Sequence, residues 1–166
     1  NDNEISYGLN AIKNVGVKAL EDAINTREKS GSFSSFFDFI SKVDQRLVNK
    51  KVLESLIIGG AFDSVHKNRA QLFEMVDDAI KYGQQVNKNI SKDQMNLFGE
   101  EEKLIKEPDF SNIEEWGNQD KLSKEKEVLG LYISGNPLLK YADTLEEISN
   151  YDFTDKTHLK EDTLIK

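Results

Sequence analysis

One short segment combines side chains that suit the binding of a partner protein better than the chemistry of a reaction. Its five residues are Gln94, Met95, Asn96, Leu97 and Phe98. The Gln94 amide can donate and accept hydrogen bonds, while Leu97 and Phe98 offer adjacent apolar groups to a pocket. The flanking residues 84–93 and 99–102 are too polar to bury a core of their own. Leu97 and Phe98 therefore need another surface, either a partner's pocket or the helical part of this chain.

Residues 8–20 form a pattern typical of a phosphate-binding hairpin. Apolar residues recur at helical spacing on both sides of a turn that contains Asn14 and Gly16, two residue types that tolerate positive φ. The start of the second helix would present backbone N–H groups and a favourable dipole to a phosphate, without reading bases. The candidate phosphate contacts are Lys13, Asn14, Val15, Gly16 and Lys18. The alternative is an ordinary helical hairpin that only packs.

The arrangement of helix, glycine turn and helix recurs about 45 residues later, from Ile12 to Ile57. The second turn is a degenerate copy of the first, and basic residues cluster near its ends. The second set of candidate phosphate contacts is Lys50, Lys51, Gly59, Gly60, Lys67 and Arg69. The alternative is that the basic residues form a solvated helix face.

No group of residues predicts catalysis or a bound metal. His66 and His158 are the only histidines and lie far apart, and the chain has no cysteine. This composition excludes thiolate zinc sites and disulfides. The acidic clusters at residues 77–78 and 100–102 are neighbours in sequence, whose side chains diverge on a helix. We therefore expect no catalytic residue, no metal and no cofactor in this chain.

The charge is unevenly distributed along the chain. The net charge of −8 opposes long-range attraction of nucleic acid. Residues 1–83 carry 11 Lys and Arg against 12 Asp and Glu, whereas residues 84–166 carry 11 against 18. The first half is therefore the only candidate for a DNA-binding face.

The ends and the composition predict a cytoplasmic segment of a longer protein. No apolar run approaches the length of a membrane span, and residues 1–4 lack the basic and apolar parts of a secretory signal. The absence of cysteine fits a reducing compartment. The chain starts without Met and ends abruptly, so we expect it to be a fragment of a longer chain, and these residues predict no membrane segment.

The periodicity predicts a mainly α fold. Helices are expected over residues 36–43, from Asn49 to Ile57, from Asn68 along a long apolar stripe, over residues 121–134, and over residues 138–149. Phe33, Phe36, Phe37 and Ile40 should be core, with Trp116 anchoring the loop to a helix. The hairpin over residues 8–27 resembles a helix-hairpin-helix motif, and with its degenerate copy it implies a tandem helix-hairpin-helix domain (1–84), followed by a flexible loop (85–118), a helical pair (119–149) and a linker (150–166).

Taken in order, six stretches resemble the C-terminal portion of the alpha subunit family of bacterial DNA polymerase III. They are YGLNAIKNVG (7–16), FFDF (36–39), NKKVLESLI (49–57), GAFDS (60–64), NRAQL (68–72) and EKEVLGLYISGNPL (125–138). Residues 94–98 are similar to the Gln-x-x-Leu-Phe motif that docks replication proteins on the sliding clamp. Asn14 stands where the hairpin family usually has Gly, and Asn136 where the polymerase family often has His.

The resemblance implies a tandem helix-hairpin-helix domain that grips duplex DNA without sequence preference, and a following loop that binds the sliding clamp. It also implies a missing oligonucleotide-binding domain after residue 150 and other replisome subunits as partners of the longer chain. That longer chain would be a Mg²⁺-dependent, DNA-directed DNA polymerase, a nucleotidyltransferase. Its catalytic aspartates would lie upstream, so this segment should be inactive alone.

Two other functional classes stay open on the residues alone. One is a helix-hairpin-helix DNA repair protein such as a base-excision glycosylase, although Pro108 and Pro137 lie outside both hairpins. The other is a pure protein-interaction module without DNA contact, which the acidic charge favours.

Overall fold

The computed structural model describes residues 7–93, 105–142 and 144. These residues form six α-helices and two short 3₁₀ turns, with no strand among them, so the predicted mainly α class is confirmed. The 3₁₀ turns are Leu9–Ala11 and Leu139–Tyr141. The helices are α1 Val17–Ser30, α2 Phe36–Lys42, α3 Lys50–Ile58, α4 Arg69–Glu74, α5 Val76–Asp93 and α6 Asn118–Leu129. Within the described ranges, no helix is both long and apolar enough to cross a membrane.

Three helices begin where the sequence predicts because a side-chain oxygen caps each of them. Ser35 caps α2, Asn49 caps α3 and Asn68 caps α4. Each side chain accepts a hydrogen bond from the amide three residues later, at 2.9, 3.2 and 3.0 Å respectively. Such caps supply acceptors to N–H groups that have no partner inside the helix.

The core lies between α2, α3 and α5. As predicted, Phe36, Phe37 and Ile40 are buried in it, and Phe33 packs against it half-buried. Helix α1 is peripheral, because Ala19 is the one residue of α1 that is buried. The first hairpin therefore sits at the edge of the packed unit, where a ligand can reach it.

Helix α5 crosses the predicted domain boundary at residue 84. The helix that begins after Asn68 is interrupted at Met75, and the following helix, α5, continues to Asp93. Residues 85–93, expected in a flexible loop, are therefore helical. Gln and Lys are good helix formers, and residues 85–93 contain no Gly or Pro, so they can extend a helix that the core has already nucleated. The partner-binding peptide at residues 94–98 lies outside the described residues.

Helix α6 is shorter than predicted. It ends at Leu129 because Gly130 adopts a left-handed φ of 76°, and the next residues turn back without helical structure. In place of the start of the last predicted helix, the structure has the 3₁₀ turn Leu139–Tyr141. Most of that predicted helix, and all of residues 150–166, lie outside the described residues.

Residues 105–117, which we call the strap, have no regular secondary structure but dock on the helical unit. The Phe110 ring stacks on His66 with 4.4 Å between centroids. The Trp116 ring meets Phe73 edge-on at 5.6 Å, which confirms the predicted anchor. The predicted loop over 85–118 thus returns to the helices well before its expected end.

Candidate nucleic-acid interface

The first hairpin is a tight turn held by two buried apolar residues. Ile12 and Val15 are 2% and 7% exposed, and the Val15 amide donates to the Ile12 carbonyl at 3.1 Å. Asn14 adopts a positive φ of 67°, as predicted, and its side-chain amide donates to Ser55 Oγ at 3.1 Å. Gly16 is extended at φ −79° and does not use the left-handed region. Val15 therefore supports the turn and does not itself offer a donor.

Helix α1 presents an open N-terminus directly after this turn. No side chain caps it, and among the described residues the amides of Gly16, Val17 and Lys18 have no hydrogen-bond acceptor. All three residues are exposed. Unpaired N–H groups and the positive end of a 14-residue helix together favour an anion.

Two lysines flank the open helix terminus. Lys13 and Lys18 are exposed, and neither has a carboxylate within ion-pair distance in the part of the chain that the structure describes. The sequence places both beside the turn, and the structure confirms that placement. They can therefore add charge-assisted contacts to an anion held by the helix amides.

The second hairpin does not repeat this arrangement. The Gly59 amide donates to the Ser55 carbonyl at 2.9 Å, and the Gly60 amide donates to the Ile57 carbonyl at 3.0 Å. Both N–H groups are already hydrogen-bonded within the chain, so the prediction that Gly59 and Gly60 offer donors to phosphate is wrong. Their role in the structure is to end α3.

The N-terminus of α4 is already filled by a carboxylate of the chain itself. Glu115 of the strap accepts hydrogen bonds from the amides of Arg69 and Ala70 at 2.8 and 3.1 Å. Burial raises the pKa of Glu115, but these donors, the Trp116 amide and the charge of Lys121 outweigh it and hold the pKa below its ordinary value. An ionised carboxylate therefore occupies the anion-binding end of the second hairpin.

Arg69 is not a phosphate contact. It is 4% exposed, and its guanidinium lies between the carboxylates of Asp63 and Glu125 while also donating to the Ile58 carbonyl at 2.8 Å. A Cβ at Gly60 would overlap this guanidinium, which explains the glycine there. Burial lowers the pKa of Arg69, but the two carboxylates raise it above its ordinary value. The prediction that Arg69 contacts phosphate is therefore wrong, because its charge is paired with carboxylates inside the fold.

Glu125 is the important residue that the sequence did not reveal. Its carboxylate accepts from Arg69 Nη1 at 2.8 Å and from the amides of Ile133 and Ser134 at 3.1 and 3.0 Å. Burial raises the pKa of Glu125, and these hydrogen bonds outweigh it and keep the pKa below its ordinary value. Arg69 precedes it by 56 residues, so no local pattern connects the two. The available signal was the position of Glu125 at the start of the motif over 125–138.

The remaining basic candidates belong to other elements than the first hairpin. Lys50 pairs with Asp77 at 2.7 Å, Lys51 with Glu54 at 3.8 Å, and Lys67 is exposed. Lys50 and Lys51 begin α3, whereas the first hairpin contacts the second half of that helix at Ser55 and the following Gly59. Exposed pairs of this kind are weak, so these lysines stay available as separate contacts. The described residues contain no His, Asp and Glu cluster suited to a metal ion.

Comparison with known proteins identifies both a structural motif in this chain and the protein family to which it is homologous. A family model described as the helix-hairpin-helix motif matches residues 1–72, so the chain contains a helix-hairpin-helix unit. The chain is homologous to a segment of the DNA polymerase III alpha subunit, which confirms the resemblance in the sequence motifs.

Three relatives show how far this homology extends. The alpha subunit of Borreliella burgdorferi is 38% identical over 168 residues, covering 99% of this chain and 15% of the relative. That of Caulobacter vibrioides is 38% identical over 135 residues, or 81% of this chain and 12% of the relative. That of Escherichia coli is 39% identical over 153 residues, or 90% and 13%. The chain thus spans about one seventh of the length of these relatives.

Proposed function

We propose that this chain holds the backbone of duplex DNA at its first hairpin and tethers a replicative DNA polymerase to the sliding clamp through residues 94–98. The observation that carries the proposal is the open N-terminus of α1, with unpaired amides between Lys13 and Lys18. It lies in a helix-hairpin-helix unit that is homologous to a DNA polymerase subunit.

The DNA contact uses the first hairpin and makes no base readout. The amides of Gly16, Val17 and Lys18 would donate to phosphate oxygens, with the side chains of Lys13 and Lys18 adding charge. Asn14 shapes the turn through its positive φ. Lys50, Lys51 and Lys67 would contact a different stretch of backbone, and Gly59, Gly60 and Arg69 take no part.

Fluorescence anisotropy of a labelled duplex, titrated over a range of salt concentrations, tests this contact. We expect the Lys13→Ala plus Lys18→Ala variant to raise Kd roughly tenfold and to lower the slope of log K against log salt by about 2. The matched control is Lys29→Ala plus Lys88→Ala, which removes the same charge from exposed sites elsewhere. Equal duplex affinity of the two variants would contradict the assignment of the contact to the first hairpin, and no duplex binding by the unaltered chain would favour an interaction module without a DNA contact.

The clamp contact is proposed for Gln94, Met95, Asn96, Leu97 and Phe98. Two described elements support it, because α5 ends at Asp93 and the strap begins at residue 105, and both pack on the unit that carries the hairpin. Burial of Leu97 and Phe98 in a clamp pocket would contribute roughly 3 to 6 kcal/mol before ordering costs, which corresponds to a Kd of about 40 μM at best, so we predict an affinity at the weak end of the micromolar range. A DNA contact on the same chain then raises the effective concentration at the clamp.

The polymerase reaction itself is assigned to the longer protein. We propose that the parent chain is a Mg²⁺-dependent, DNA-directed DNA polymerase in the cytoplasm that works with further replisome subunits. Its catalytic carboxylates would lie outside these 166 residues. The present chain would bind the DNA backbone and attach the polymerase to the sliding clamp, without a catalytic group of its own.

A further inference from the structure

The C-terminal end of α6 is bonded to the first hairpin. The last carbonyls of a helix receive no hydrogen bond from within the helix. Two of those in α6 accept hydrogen bonds from the hairpin region. The Val128 carbonyl accepts from the Lys13 amide at 2.8 Å, and the Leu129 carbonyl accepts from the Tyr7 hydroxyl at 3.0 Å. The hairpin is thus held by carbonyls from a distant part of the chain.

Apolar packing reinforces these two hydrogen bonds. A Cβ built on Gly59 would lie 3.0 Å from Ile12 Cδ1 and 3.5 Å from Leu129 Cδ2, so both side chains meet over this glycine. Ile12 is 2% exposed, and Val128 and Leu129 are each 6% exposed. Ile12 and Lys13 begin the turn that leads into the open amides of Gly16 to Lys18. A shift of α6 would therefore move the start of that turn.

The position of the α6 carbonyls depends on how α6 ends. Gly130 closes the helix in the left-handed region at φ 76°, and its amide donates to the Lys126 carbonyl at 2.9 Å. Glu125 then fixes the returning chain through the amides of Ile133 and Ser134. The end of the helix is thus defined on both sides of Gly130.

We propose that α6 is a positioning element of the phosphate site: the Val128 and Leu129 carbonyls set the geometry of the first hairpin. This inference rests on the proposed function. It makes the DNA contact depend on residues 118–134, although the charged and donor groups lie at 13–18. The residues on either side of the clamp-binding segment thereby form one DNA-binding unit.

The test substitutes Gly130→Ala, with Gly31→Ala as its control. Both glycines follow the last residue of a helix at positive φ, 76° and 84°, and an added Cβ meets nothing within 4 Å at either. Their ψ angles differ, at −3° for Gly130 and −175° for Gly31, and the second conformation is the harder one for alanine to adopt. Gly31→Ala therefore imposes at least as much backbone strain, at the far end of α1, and urea unfolding measures both losses of stability.

We expect Gly130→Ala to accelerate hydrogen exchange at the Lys13 amide, to raise the Kd for a labelled duplex about fivefold, and to lower its salt slope by about one. Gly31→Ala should leave all three unchanged. Tyr7→Phe, which removes only the hydroxyl bonded to Leu129, should act in the same direction as Gly130→Ala. The salt slope reports phosphate contacts made, which a mere loss of global stability would not change.

Three results would overturn the inference. Exchange at Lys13 could stay unchanged in Gly130→Ala, or exchange could rise while duplex affinity and salt slope stay those of the unaltered chain. Gly31→Ala could weaken duplex binding as much as Gly130→Ala. In these cases the unaltered chain still binds DNA, so the proposed function survives. Failure of the unaltered chain to bind any duplex would overturn the proposed function and the inference together.

Discussion

Arg69 and Glu125 form an ion pair that is almost fully removed from water. Their side chains are 5% and 1% exposed, and their charged atoms approach to 2.8 Å. Moving two charges out of water is costly, and the cost is offset here because each charge also bonds the backbone. Asp63 adds a second carboxylate to the guanidinium at the less buried side. The pair joins α4 to α6, so it links the hairpin unit to that helix.

Replacement of Glu125 by Gln should strongly destabilise the chain. The substitution leaves the guanidinium of Arg69 buried with one carboxylate fewer, and we expect the free energy of unfolding to fall by about 3 kcal/mol. Urea denaturation followed by circular dichroism measures the change. The control is Glu127→Gln, which removes the same charge from an exposed position on the same helix. Equal stability of the two variants would show that the pair contributes nothing.

Glu115 and Glu125 should be among the groups that make the fold sensitive to acid. The pKa of each lies below the ordinary Glu value of 4.5. Because the folded-state pKa is lowered, their stabilisation is complete above pH 4.5 and is lost as the pH falls through the folded-state values. Urea unfolding between pH 7 and pH 3, with curves for Glu115→Gln and Glu125→Gln, tests this. Each substitution should flatten the acid limb, and parallel limbs would refute the assignment.

Local residue chemistry predicts the helix caps but not the buried charges. Ser35, Asn49 and Asn68 cap helices because the acceptor and the donor are three residues apart. Arg69 looked like a surface cation because its partner Glu125 is 56 residues away. The sequence also did not predict the carboxylate at the second hairpin, because Glu115 lies 46 residues after Arg69, whose amide it binds.

The strap is the element that closes the second hairpin. Its Glu115 caps α4, and its backbone carbonyls at Ile113 and Ser111 accept from the side chains of Asn68 and Gln71 at 2.8 and 3.1 Å. The aromatic contacts of Phe110 and Trp116 lie on either side of these polar contacts. The strap is thus fixed by polar contacts in its middle and apolar contacts around them.

Removal of the Glu115 carboxylate should loosen the strap and the start of α4. We expect Glu115→Ala to lower stability by about 1 kcal/mol, as loss of an N-cap does, and to speed hydrogen exchange at the Arg69 and Ala70 amides. Glu114→Ala is the control, because that neighbouring side chain is exposed. Unchanged exchange at both amides in Glu115→Ala would contradict the capping role.

Element boundaries follow from the sequence only where a local signal stops the helix. Gly130 is such a signal, but the apolar spacing continues past it and favoured an end near residue 134. The polar stretch after residue 84 has no stop signal, so α5 runs on to Asp93. The docking of the strap depends on tertiary contacts, which periodicity does not report.

At the scale of the whole molecule, neither proposed contact should be strong alone, and the net charge of −8 weakens the one with DNA. Long-range repulsion opposes the approach of DNA, and the hairpin offers few phosphate contacts. The clamp peptide is short and would bind with micromolar affinity. Function as a tether therefore requires both contacts on one assembly, where the first raises the effective concentration of the second.

The most direct measurement is the affinity of the chain for a sliding clamp loaded on DNA, compared with its affinities for the clamp alone and the DNA alone. We expect binding to the loaded clamp to be at least about 100-fold tighter than to either component. Leu97→Ala plus Phe98→Ala and Lys13→Ala plus Lys18→Ala should each abolish that gain, whereas the control Lys29→Ala plus Lys88→Ala should retain it. An affinity for the loaded clamp no greater than for the clamp alone would contradict the tether.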